Sequence, residues 1–155
     1  MDKFSAADLQ GQEKVVNQLK KIFKNQTLTI EQHYSDCETV DIYVTATTKT
    51  NVSYLYVFET KDRNFDHNKY GDCMLDEEKL IEIRKREGKY KPMYVHTFSD
   101  DWISIWDISK IDFSKYQPKP IKRRKRTVVP SEKIVRKSYL IPRSECVYDS
   151  SFIVS

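Results

Sequence analysis

Residues 52–61, Val-Ser-Tyr-Leu-Tyr-Val-Phe-Glu-Thr-Lys, constrain the fold more than any other stretch. Tyr54, Leu55, Tyr56, Val57 and Phe58 form an apolar and aromatic run with strong sheet preference, and it leads straight into Glu59-Thr60-Lys61. Just upstream, residues 39–47 alternate Val40, Ile42 and Val44 with Asp41, Tyr43 and Thr45, the pattern of a second strand. The polar stretch Thr48-Lys49-Thr50-Asn51 between them reads as a hairpin loop. A turn centred on Lys49 and Thr50 pairs residues whose numbers sum to about 100, which sets Asp41 opposite Glu59 or one position off. Facing residues on one side of an antiparallel pair have Cβ atoms roughly 5 Å apart. Lys61, two residues beyond Glu59, points the same way. Two carboxylates and an ammonium therefore converge at one end of the hairpin.

Two facing carboxylates repel unless a cation lies between them. Mg²⁺ or Mn²⁺ suits that position, as a hard ion that takes oxygen ligands and keeps several waters. Such an ion lowers the pKa of bound water and neutralises charge building on a phosphate. Lys61 is placed to orient the attacking water or to stabilise the developing negative charge.

The remaining pattern supplies a frame for this hairpin. Residues 5–24 read as a helix: Ser5 is a good N-cap, Asp8 follows three residues on as in a capping box, and Leu9, Val15, Val16, Leu19, Ile22 and Phe23 share one face. A strand is expected at 27–34 and a polar loop at 62–71. A second helix is expected at 75–86, with Leu75, Leu80, Ile81 and Ile83 apolar and Gly88 just beyond it. Strands at 93–98 and 102–108 are joined by the turn Ser99-Asp100-Asp101. A linker with Pro118 and Pro120 then leads to a tail with short strands at 127–129 and 137–141. The order helix, three strands, helix, two strands, basic tail predicts an α/β fold with a mixed central sheet flanked by helices. Residues 1–114 form its core and 115–155 a basic extension packed on the same domain.

An acidic residue on one strand and Glu-x-Lys on the next, after one helix and before another, resembles the PD-(D/E)XK nucleases, the superfamily of restriction endonucleases and Holliday junction resolvases. The resemblance spans about residues 5–108 and rests on Asp41 in Thr-Val-Asp-Ile-Tyr-Val and on Glu59 and Lys61 in Val-Phe-Glu-Thr-Lys-Asp-Arg. Val40 stands where the motif's eponymous Pro would be. The resemblance implies a restriction endonuclease-like core and a metal-dependent endonuclease that hydrolyses DNA phosphodiester bonds with Mg²⁺ or Mn²⁺. It implies metal ligation by Asp41, Glu59, the backbone carbonyl of Thr60 and Glu13, with Lys61 assisting the water. It also implies phosphate contacts from Lys69 and Tyr70 in the loop after the motif and from Lys79 on the next helix. A homodimer is expected by analogy, because a duplex has two strands to cut. The alternative is a nucleic-acid-binding module that keeps the fold and does not cut.

Charge supports a polyanionic partner. Residues 115–145 hold eleven basic and two acidic residues, so +9 sits there and the rest of this +4 chain carries −5. Within that segment, Lys122, Arg123, Arg124, Lys125 and Arg126 form the run expected to grip a phosphate backbone. Trp102 and Trp106, four apart on a strand, share a face and read as core residues. His33, His67 and His96 are scattered without metal-ligand spacing, and His67 reads as a plain loop histidine. Cys37, Cys73 and Cys146 are odd in number and form no Cys-x-x-Cys pair, so free thiols in a reducing compartment are expected. The N-terminus lacks a signal-peptide stretch and no apolar run is long enough to cross a bilayer, which predicts a cytoplasmic protein with no membrane partner.

Overall fold

A computed structural model describes residues 6–32, 42–126 and 129–151, with side chains over 12–31, 42–121 and 135–151. In chain order the elements are α1 (Ala6–Ile22), β1 (Thr27–Gln32), β2 (Ile42–Thr47), β3 (Ser53–Asp62), β4 (Asp72–Asp76), α2 (Glu77–Arg84), β5 (Lys91–Thr97), β6 (Trp102–Asp107), β7 (Lys119–Arg126), β8 (Val129–Pro142) and β9 (Tyr148–Ser151). Six strands form one mixed sheet in the order β1-β2-β3-β5-β6-β9, and β4-β8-β7 form a second sheet of three. Every pairing is antiparallel except β3 with β5. Parallel neighbours need a long crossover, and here β4 and α2 lie between them in the chain.

The β2–β3 hairpin has the expected register: Ile42 faces Phe58 and Tyr43 faces Val57. Its loop closes through Thr48 N–H to the Val52 carbonyl at 2.9 Å, with Asn51 at φ 64°. Asn tolerates that left-handed conformation better than most residues. Strand alternation then divides the large sheet's core. On one face, Val15 and Leu19 of α1 pack with Ile42, Val44, Phe58, Met93, Val95, Ile103 and Ile105. On the other, Tyr94 and Trp106 pack with Leu75 of β4, Leu80 and Ile83 of α2, and Ile141 of β8. Leu80 and Ile83 are three apart and so lie on one side of α2. The second face is thus covered by a helix together with a small sheet.

The second helix begins at Glu77, two residues later than the periodicity implies, because residues 72–76 form β4. Leu75 is fully buried from the strand, where it faces Tyr139 while Cys73 faces Ile141. The helix ends at Arg84, and Gly88 takes φ 104° in the turn before β5. The segment after residue 115 is also more regular than expected. The linker stops at Lys119, β8 runs as one strand from Val129 through Pro142 where two short ones were expected, and β9 closes on β6. The capping box at Ser5 and the residues 33–41, with Asp41 among them, lie outside the described residues. Among the described residues no helix is long and apolar enough to cross a membrane.

Candidate functional site

Glu59 ends the apolar run of β3 and is only 2% exposed. In the parallel ladder Glu59 pairs with Tyr94 and Lys61 with His96, so this alternate set shares the face that α2 and the small sheet cover. A carboxylate buried there costs several kcal/mol of desolvation unless it is paired. Lys79, in the first turns of α2, supplies its ammonium 3.2 Å from Glu59 Oε1. That helix starts directly after β4, which explains why Lys79 reaches a strand twenty positions back in the chain.

The expected site residues divide as follows. Glu59, Lys61 and Lys79 lie on one side of the large sheet, with Lys61 half-buried. Thr60 pairs with Val95 and alternates to the α1 side. Glu13 is exposed on α1, the helix of that opposite face, and its neighbour Lys14 lies 3.6 Å from Asp62 at the end of β3. Lys69 and Tyr70 are exposed in the loop after β3. Lys69 Nζ sits 5.5 Å from the centroids of both the Phe65 and Tyr70 rings, which meet edge to face. Lys122, Arg123, Arg124, Lys125 and Arg126 lie on β7, with their side chains outside the described set.

His96 is the residue that sequence reasoning passed over. Its ring sits among Tyr94, Trp106 and Phe98 at centroid distances of 4.9, 5.3 and 5.9 Å. Nε2 is buried without a hydrogen-bond partner. Burial first, then the charges of Arg63 and Lys61, hold its pKa well below the usual histidine value, so the imidazole is neutral. Tyr94 is likewise held protonated by burial, and its hydroxyl donates to the Met74 carbonyl at 2.9 Å. Beside them a cleft of about 360 Å³ is lined by Arg63, Phe65, Tyr70, Met74 and His96 among others. The periodicity Tyr94, His96, Phe98 is that of a buried strand face, and the only sequence signal was a titratable residue inside it.

A second polar cluster fastens the loop over 63–71. Asp100 and His67 meet through Oδ2 and Nδ1, and Ser99 Oγ donates to Asp66 at 2.9 Å. The His67 ring stacks on Trp102 at 3.8 Å between centroids. Trp102 Nε1 donates to Asp149 at 2.6 Å, and Arg143 donates to both oxygens of Asp149 at 2.9 and 2.8 Å. Burial works to raise the Asp149 pKa, but the bonds from Ser104, Trp102 and Arg143 outweigh it and hold the carboxyl below its usual value. One face of the Trp102 ring is thereby occupied, while Trp106 is a core residue with no exposure.

Burial holds the Cys73 thiol well above its usual pKa and pushes Cys146 up to about 12, so neither supplies a thiolate nucleophile. Among the described residues no three His, Cys, Asp or Glu side chains gather as a metal site. Glu59 supplies a carboxylate on the sheet face it shares with Lys61, and a hard divalent ion uses one or two carboxylates with substrate phosphate and water. No protein-family model, curated protein or solved structure matches this chain.

Proposed function

We propose that this protein is a metal-dependent endonuclease that hydrolyses DNA phosphodiester bonds, built on a restriction endonuclease-like core. The observation that carries the reading is a buried carboxylate, Glu59, at the end of an apolar strand, sharing its face with Lys61 and meeting Lys79 at 3.2 Å. Anionic substrate and hard cation are the two species such a mixed set of charges attracts. The hairpin register supports the reading: described pairs sum to 100, and one further step of the same ladder would set Asp41 across from Glu59. The order α1, three antiparallel strands, a crossover through β4 and α2, and parallel β5 supports the reading.

In this reading Asp41, Glu59 and the Thr60 carbonyl would hold Mg²⁺ or Mn²⁺, an ion that would supply an acidified water and charge neutralisation at the phosphate. Lys61 donates a hydrogen bond to the attacking water or to the non-bridging phosphate oxygen, stabilising the negative charge that grows in the transition state. Lys79, 3.2 Å from Glu59, would place a positive charge beside the substrate phosphate. Lys69 and Tyr70, at the mouth of the same side, contact the neighbouring backbone.

One observation favours a second reading, a nucleic-acid-binding module that does not cut: Lys79 already neutralises the carboxylate a metal would use. Incubation of supercoiled plasmid and branched DNA with Mg²⁺, Mn²⁺ or EDTA separates the two. The nuclease reading expects cutting that EDTA and Lys61→Ala both abolish. Metal-independent binding with no cutting in any buffer supports the module.

A further inference from the structure

β8 is longer than the sheet it belongs to. It pairs with β4 only over Ser138–Pro142, and from there back to Val129 its described neighbour is β7. The two strands form a ribbon of about eight residues, roughly 26 Å long at about 3.3 Å per residue. Nine basic residues and one acidic residue fall between Lys119 and Ser138.

The register distributes this charge on both faces. Pro120, Lys122 and Arg124 face Lys137, Val135 and Lys133, while Lys119, Ile121 and Arg123 face Ser138, Arg136 and Ile134. Neither face is apolar enough to fold onto a core, and an isolated two-stranded ribbon is marginal at best. In register, Arg124 is the partner of Lys133. Charges on an edge strand can guard it against mispairing, and both strands are edges where the ribbon runs past β4. Here β8 contributes Lys133, Arg136 and Lys137 as well. Nine cations against one anion on so short a ribbon suit a polyanionic partner.

The ribbon is rooted beside the candidate site. Arg136 donates to Glu78 at 2.8 Å and Ser138 Oγ to Asp76 at 2.8 Å. The residue after Glu78 is Lys79, which meets Glu59. One helix therefore holds both the ribbon's base and the buried carboxylate.

We infer that the β7–β8 ribbon is an arm that enters the major groove of B-form duplex DNA and leads the duplex to the Glu59 side of the large sheet; the second half of this statement rests on the nuclease reading. Strands about 4.8 Å apart make a ribbon that the roughly 12 Å major groove admits. The deep, narrow major groove of duplex RNA does not.

The test uses the full chain carrying Lys61→Ala, so that bound DNA stays intact, and measures anisotropy of labelled duplex DNA, single-stranded DNA and duplex RNA of one sequence over a salt series. Duplex DNA binds most tightly. The triple change Arg123→Gln, Arg124→Gln, Lys133→Gln weakens it and lowers the slope of log affinity on log salt by about 2.7, at about 0.9 per phosphate contact. The equal-sign control Lys20→Gln, Lys24→Gln, on the last turn of α1 and just beyond it, leaves the slope unchanged. Arg124→Glu reverses one charge of the ribbon and lowers DNA affinity, and the melting temperature of the same free protein, unchanged from wild type, separates loss of binding from loss of fold. An unchanged slope in the triple variant, or duplex RNA bound as well as duplex DNA, overturns the arm. Wild-type protein that never cuts while the ribbon variants lose DNA binding overturns the nuclease reading and leaves the arm standing. Cutting by wild type with no effect of the ribbon variants on binding does the reverse.

Discussion

Two carboxylates in this molecule are equally buried, at 2% exposure, and each has a lysine beside it, yet their surroundings differ in kind. Asp107, at the end of β6, faces the α1 side of the large sheet. Lys91 approaches it at 3.1 Å, and its Oδ1 accepts from the Ser109 backbone N–H at 3.1 Å and from Ser109 Oγ at 2.6 Å, capping the short 3₁₀ turn Ile108–Lys110. Those bonds tie Asp107 to the next element of the chain. Glu59 stands on the opposite face, paired in register with Tyr94 and followed on that face by the Lys61–His96 pair, and its ion-pair partner comes from α2. The α1 face keeps its charge at the rim and its core apolar, while the α2 face carries titratable groups into the core. A buried charge that caps a turn serves the fold, and one gathered with other charges on a single face is where chemistry is expected.

The largest effect that separates the two faces is on activity. Lys61→Ala lowers cutting by on the order of a thousandfold, while its unfolding free energy stays within about 0.5 kcal/mol of wild type. Single-turnover cleavage and urea melts of the same preparation read both quantities. A loss of activity that tracks a loss of stability would erase the contrast.

Asp107→Ala gives the opposite pattern. It removes a cap and the partner of the well-exposed Lys91, at a cost of about 1–2 kcal/mol in unfolding free energy. Activity per folded molecule is unchanged. Equal cleavage rates after correction for the folded fraction support the structural role, and a rate deficit that survives the correction assigns Asp107 to the site.

His96 sharpens the comparison through pH. Its native pKa is depressed, so below the ordinary histidine value of about 6.5 the unfolded chain takes up a proton that the native protein does not. Stability contributed by the neutral imidazole is present above that pH and falls as pH drops beneath it, by up to about 1.4 kcal/mol per pH unit. His96→Phe removes this slope between pH 6.5 and 5. Parallel stability curves for wild type and variant across that window would show that the imidazole is not held neutral.

What could be read from the sequence follows the reach of each interaction. The β2–β3 hairpin and its register were legible because strands and loop are contiguous, and a turn position alone sets the pairing. The helix of α1 was legible from its periodic face. β4 was not, since Leu75 suits a helix and a strand equally and its partner Tyr139 lies more than sixty residues downstream. Such long-range pairing leaves no local trace. Lys79 was expected near the site from the resemblance, but its burial against Glu59 depends on how β4 aims α2. His96 was invisible because a strand position flanked by Tyr94 and Phe98 reads as core whatever occupies it.

The smallest expected effect concerns Glu13, which the resemblance names as a further metal ligand. It is exposed on α1, and α1 packs its Val15 and Leu19 on the face of the large sheet that Glu59 turns away from. To serve a metal at Glu59 its carboxylate must reach round the end of β3, where Lys14 already meets Asp62 at 3.6 Å and Thr97 Oγ donates to Asp62 at 2.6 Å. A single exposed carboxylate across that rim contributes little to an inner-sphere site. The midpoint of Mg²⁺ activation in Glu13→Gln is therefore expected within about twofold of wild type, a difference of about 0.4 kcal/mol. A tenfold shift in that midpoint, with unchanged stability, would show that the two faces cooperate at this end of the sheet and that the division between them stops short of the site.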